Sequence, residues 1–130
     1  MILVVGTPHL LEAASARLER EGYAVTVARD AEAAACVASL SRPALIVLEL
    51  DTVRGDGLEV CRVLTALPDL AGVPLVVSSA TPEPLREVVG GTPDVHVVRA
   101  SSRPDALLRI VRGFHIRPPA DRGAGRRSDP

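Results

Sequence analysis

Apolar residues gather into five short runs along the chain: ILVV at 2–5, YAVTV at 23–27, LIVLE at 45–49, VPLVVSS at 73–79 and VHVVR at 95–99. Most are apolar without alternation, the pattern of strands buried on both faces. The segments between them follow a helical period. Pro8 opens the first, Leu10, Leu11, Ala14 and Leu18 share a face, and Gly22 stops it. Asp30 is placed to cap an Ala-rich second helix, and Gly57 to Leu67 carries Leu58, Val60, Cys61 and Leu64 toward Pro68. A short fourth helix follows Thr81 and Pro82 and ends at Gly90-Gly91. Ser102 and Asp105 form a capping-box pattern ahead of ALLRIVRGF, a last helix with Leu107, Leu108 and Val111 facing inward.

Five alternations of strand and helix require long, right-handed crossovers, and therefore a parallel sheet with helices on both faces. The expectation is a doubly wound α/β domain over residues 1–114. The stretch HIRPPADRGAGRRSDP, residues 115–130, has a single aliphatic residue, too little apolar area to offset the entropy of ordering, and is expected to be disordered.

Composition narrows the function classes. Hydrophobic residues make up 47% of the 130 positions, yet there is one Tyr, one Phe and no Trp, so the core must be built from Val, Leu, Ile and Ala. The same shortage leaves a nucleic-acid site without stacking platforms. Residues 1–114 hold 14 acidic side chains against 11 Arg, a sign that disfavours direct nucleic-acid binding. Cys36 and Cys61 have no metal-ligand spacing and are expected to act as small core hydrophobes in a reducing compartment. The start MILVVGTPHLLEAA has no basic leader region, and no run approaches membrane-spanning length. The expectation is a soluble, cytoplasmic protein with no membrane partner and, since the chain ends soon after the fifth helix, no output domain of its own.

In doubly wound folds ligands meet the crevice beyond the carboxyl ends of the strands, which points to Gly6, Thr7, Glu49, Asp51, Ser79 and Arg99. A single glycine in VVGTPHLL is too little for a phosphate loop. Residues 2–114 resemble the receiver domains of bacterial two-component response regulators. The most specific segment is LELDTVRGDGLEV, where Asp56-Gly57 falls seven and eight residues after Glu49; Ser79-Ala80 and the HVVR strand match as well. The resemblance implies a five-stranded (βα)5 flavodoxin-like fold with strand order 2-1-3-4-5. It also implies a phosphoacceptor Asp, an acidic pair holding Mg²⁺, a Ser or Thr, and a Lys. This sequence has Glu49 at the acceptor position, Gly6-Thr7 in place of the acidic pair, Arg99 for Lys and Ala100 for the usual Pro; Ser79 alone keeps its type.

Those departures bear on chemistry. Mg²⁺ prefers six oxygens at about 2.0–2.1 Å, usually including one or two carboxylates, and Gly6 offers none. Glu49 displaces its carboxylate by about an ångström relative to Asp, which can cost about a hundredfold in rate. The expectation is therefore no metal, no cofactor, no enzymatic turnover, and a phosphorylation-independent module that binds a protein partner or a second copy of itself. Glu49 is expected to pair with Arg99, with Ser79 as third member, either as a structural pair or as a partial imitation of a phosphoryl group. Asp51 is a minor candidate for substitute acceptor, and Asp56 an N-cap. His96, at the family's switch position, is expected on the polar face of an edge strand. In the family the surface of the fourth helix, fifth strand and fifth helix commonly docks partners; here it includes Arg86, Val88, Val89, His96, Arg103, Arg109 and Arg112. Two alternatives stand beside this reading: a small-anion sensor using Arg99, Ser79 and Thr7, and a phosphotransfer-competent receiver.

Overall fold

Strand and helix alternate five times in the computed structural model: β1 (Ile2–Val5), α1 (Pro8–Arg20), β2 (Val25–Ala28), α2 (Ala31–Leu40), β3 (Leu45–Glu49), α3 (Gly57–Ala66), β4 (Leu75–Ser79), α4 (Pro82–Val89), β5 (Val95–Arg99) and α5 (Ala106–Gly113). A 3-10 turn at Pro68–Leu70 links α3 to β4. The structure describes residues 1–6, 8–51, 56–89, 91–92, 94–100 and 105–116, with only the backbone of 8–11, 13 and 14. The five strands form one parallel sheet in the order β2-β1-β3-β4-β5. The doubly wound α/β expectation and the strand order both hold.

Uninterrupted apolar strands divide their side chains between two cores because successive residues point to opposite faces. Leu3, Val5, Ile46, Leu48, Leu75 and Val77 pack under α2, α3 and α4, with Ala34, Ala38, Val60, Cys61, Leu64, Leu85 and Val89. Ile2, Val4, Leu45, Val47 and Val76 pack under α1 and α5, with Leu18, Leu107, Leu108 and Val111. Full burial of the three central strands on both faces is what their lack of alternation encodes.

The helix starts carry the caps expected of them. Asp30 accepts from the Ala33 amide at 2.8 Å and Asp56 from the Leu58 amide at 3.0 Å. At α5, by contrast, Asp105 makes no capping bond and instead lies 3.6 Å from Arg109; Ser102 lies outside the described residues. Cys61 is a core residue, but Cys36 is exposed, because it falls on the outward face of α2. Two expected strands are shorter at their starts, β2 opening at Val25 and β4 at Leu75.

The packed chain continues past 114. Ile116 packs against the α1–α5 core, and its carbonyl accepts the Tyr23 hydroxyl at 2.7 Å. Residues 117–130 lie outside the described residues. No described helix is long and apolar enough to cross a membrane.

Candidate functional site: the crevice at the carboxyl ends of the strands

Gly6, Glu49, Ser79 and Arg99 stand at or just past the ends of β1, β3, β4 and β5, on one edge of the sheet. Gly6 is buried, and its amide donates to Ala28 O at 2.8 Å. Thr7 lies outside the described residues.

Glu49 is half-buried. Burial raises the pKa of its carboxyl, the nearby Ser78 side chain opposes the rise, and the Asp51 charge adds to it. The expected pair with Arg99 does not form. Register explains why: Glu49 lies opposite Ser78 on β4, whereas Arg99 lies opposite Ser79. Residues one apart on β4 point to opposite faces, so Glu49 leans toward the α1–α5 side and Arg99 toward α4. On that side Arg99 pairs with Glu83, in the first turn of α4, and donates to Ala80 O at 3.0 Å.

Ser79 likewise bonds elsewhere than expected. It is 1% exposed; its hydroxyl accepts from the Thr81 amide at 3.1 Å and donates to Asp51 Oδ1 at 3.4 Å. The other Asp51 oxygen accepts from the Ala80 amide at 2.8 Å. Asp51 thus ties the loop after β3 to the turn between β4 and α4, a role that sequence reasoning missed. Its two-residue offset from Glu49 put it past the strand, where periodicity no longer says which way a side chain points. Glu83, four residues after Ser79 on a helix start, was also missed as the acid nearest Arg99.

The fold that carries this crevice has many known counterparts. The structure aligns with the chemotaxis protein CheY4 of Vibrio cholerae at TM-score 0.73 and 19% identity, over 87% of this chain and 96% of that one. It aligns with the signal receiver domain of a signal transduction histidine kinase from Syntrophus aciditrophicus at TM-score 0.69 and 26% identity, over 87% of each chain. A third counterpart is the receiver domain of a sensor histidine kinase from Pseudomonas aeruginosa, with a magnesium ion coordinated in its active site cleft, at TM-score 0.69 and 22% identity over 87% of this chain and 94% of that one. This is the receiver fold. No protein-family model and no curated protein matches the chain.

The receiver fold implies Mg²⁺, and the described residues fit it poorly. Gly6 has no side-chain ligand, both Asp51 carboxylate oxygens are engaged by the β4–α4 turn, and Glu49 is the carboxylate that remains at the strand ends, in a setting that disfavours its charge. Among the described residues no three His, Cys, Asp or Glu side chains converge as a metal site requires.

The surface of α4, β5 and α5 exposes some of the side chains named for it and not others. Arg86, His96, Arg109 and Arg112 are exposed, and Val88 is 57% exposed. Val89 is not on that surface: at 8% exposure it belongs to the core, one residue round the helix from Val88. Arg109 and Arg112 already face Asp105 at 3.6 Å and Glu21 at 3.5 Å, while Arg86 has no carboxylate partner among the described residues. His96 stands edge-on to Phe114, with ring centroids 5.0 Å apart. Arg103 lies outside the described residues.

Proposed function

We propose that this chain is a receiver-like signalling module that acts by binding a protein, or a second copy of itself, without aspartyl phosphorylation and without enzymatic turnover. The observation that carries the reading is the commitment of the crevice's charged groups. Asp51 is held by Ser79 and Ala80, Arg99 by Glu83 and the Ala80 carbonyl, and the acceptor position holds a half-buried Glu49. Phosphoryl transfer in such a site depends on a metal and on free cationic groups to neutralise the transferring phosphoryl. Here the donors are occupied, and one carboxylate is a poor seat for a hard cation that wants six oxygens.

The output is then a surface. Its basic groups are the exposed Arg86 on α4, His96 on β5 and Arg109 on α5, which an acidic partner would meet; Val88 instead lies toward the groove between α3 and α4, and Arg112 toward Glu21. The small-anion reading is less well supported, since Arg99 and Ser79, the donors it requires, already have internal acceptors.

The test is to incubate the protein with Mg²⁺ and a small-molecule phosphodonor and weigh it intact. The expected spectrum is unchanged. An acid-stable but base- and hydroxylamine-sensitive gain of one phosphate at Glu49 or Asp51 would overturn the reading in favour of a phosphotransfer-competent receiver.

A further inference from the structure

The contact between Asp51 and the β4–α4 turn has the geometry of ligand binding within one chain. Both carboxylate oxygens are used, Oδ2 by the Ala80 amide at 2.8 Å and Oδ1 by the Ser79 hydroxyl at 3.4 Å. Ser79 is prepared for this. Its oxygen accepts from the Thr81 amide at 3.1 Å, which leaves the hydroxyl proton free to be donated, and the residue is 1% exposed, so the hydroxyl has little access to water. Two donors on adjacent residues converge on the two oxygens of one anion, the Ala80 amide through a short charge-assisted bond and the Ser79 hydroxyl through a longer, weaker one. Arg99, bonded to the Ala80 carbonyl at 3.0 Å, places positive charge on the same turn.

We propose that Asp51 is a tethered ligand: its carboxylate fills an oxyanion site made by the Ser79 hydroxyl and the Ala80 amide, and thereby shuts free phosphate and carboxylate anions out of the crevice. The tether is short, because Leu50 still donates to Ser78 O at 2.9 Å and Asp51 is the next residue. An acceptor held on so short a tether has an effective concentration of about millimolar or more, enough to outcompete free anions that find only two or three donors. The inference does not depend on partner binding; it concerns what occupies the crevice.

Amide spectra of the full chain test it, with inorganic phosphate and with sodium acetate at constant ionic strength, for the wild type and for Asp51→Ala. In the variant the Ala80 and Thr81 amide resonances are expected to move from their wild-type positions and to titrate back saturably with either anion. Half-saturation should come at a concentration at least tenfold lower than any response of the wild type. A folded Asp51→Ala with no saturable response, or a wild type that binds either anion equally well, overturns the proposal. If Asp51→Ala does not fold, Asp51→Gly, which also removes the acceptor oxygens, is read by the same criteria. The wild type alone also decides, because an Ala80 amide that exchanges with solvent as fast as an unbonded one is incompatible with a filled site.

Discussion

Glu49 is the residue at which the crevice departs furthest from an acidic reaction centre, because its surroundings favour the neutral acid. Its folded pKa stands above the unfolded value of 4.5, mainly through burial, with Asp51 adding to the rise. The sign follows from linkage. Below the unfolded value both states are protonated and nothing is lost; as pH rises through the folded value, the unfolded chain gives up its proton more readily and stability falls. Glu49→Gln removes that loss while keeping the shape and a hydrogen-bonding group toward Ser78. The variant is expected to be more stable than the wild type at neutral pH, with the difference shrinking to near zero at about pH 4, below the unfolded value. Urea melts at several pH values check this. A pH-independent difference, or a wild type more stable at neutral pH, would show that Glu49 is held as a carboxylate. The resemblance to receiver domains marked Glu49 as the acceptor equivalent, but the partner expected for it, Arg99, was wrong. Which face a strand-end side chain takes depends on register with the neighbouring strand, and register is a property of two segments, not of one.

At the scale of elements, much more was legible. Five strands and five helices could be placed because hydrophobic period and length distinguish a doubly buried strand from an amphipathic helix. The caps at Asp30 and Asp56 were readable for the same local reason, since an acceptor ahead of a helical pattern satisfies free amides whatever the tertiary context. Contacts between loops were not readable, as the Asp51 bridge and the Glu83–Arg99 pair demonstrate. Gly57 adds a hidden constraint of this type. Read as a plain helix start, it is also where α3 passes the end of β3: a Cβ there would lie 2.6 Å from the Leu50 carbonyl oxygen and 2.8 Å from the Leu50 side chain. Gly57→Ala should gain at most about 1 kcal/mol of helix propensity. Forcing apart a backbone oxygen and a packed side chain costs about 1–3 kcal/mol, so strain is expected to win. The variant should be less stable by about 1–2 kcal/mol in chemical denaturation. A variant as stable as the wild type or more so would mean that the β3–α3 junction yields freely, and the Asp51 bridge beside it would then be a soft contact as well.

Across the whole molecule, one face of the open sheet is covered by α1 and α5, which lie far apart in sequence. α5 packs on α1 over Leu18, Leu107, Leu108 and Val111, and its far end is fastened twice. Glu21 lies between Arg17 at 3.2 Å and Arg112 at 3.5 Å, and the Tyr23 hydroxyl reaches across 93 positions to the Ile116 carbonyl. The ion pairs are partly exposed and each contributes at most about 1 kcal/mol, so the tyrosine bond carries more of the specificity. Tyr23 is buried, and Tyr23→Phe removes one hydroxyl while leaving the ring in its core. A net hydrogen bond is worth about 0.5–1.5 kcal/mol, and leaving the Ile116 carbonyl unpaired puts the expected cost near the upper end. How that cost is expressed is informative about the module as a unit. If α5 unfolds together with the sheet, urea unfolding followed by circular dichroism should show a lower midpoint with an unchanged slope, since the surface exposed on unfolding is the same. If α5 detaches first, the slope should fall and the transition broaden, because part of the surface is already exposed. The first outcome is expected, since the apolar side chains of α5 are continuous with the core beneath β1, β3 and β4 and have nowhere else to be buried.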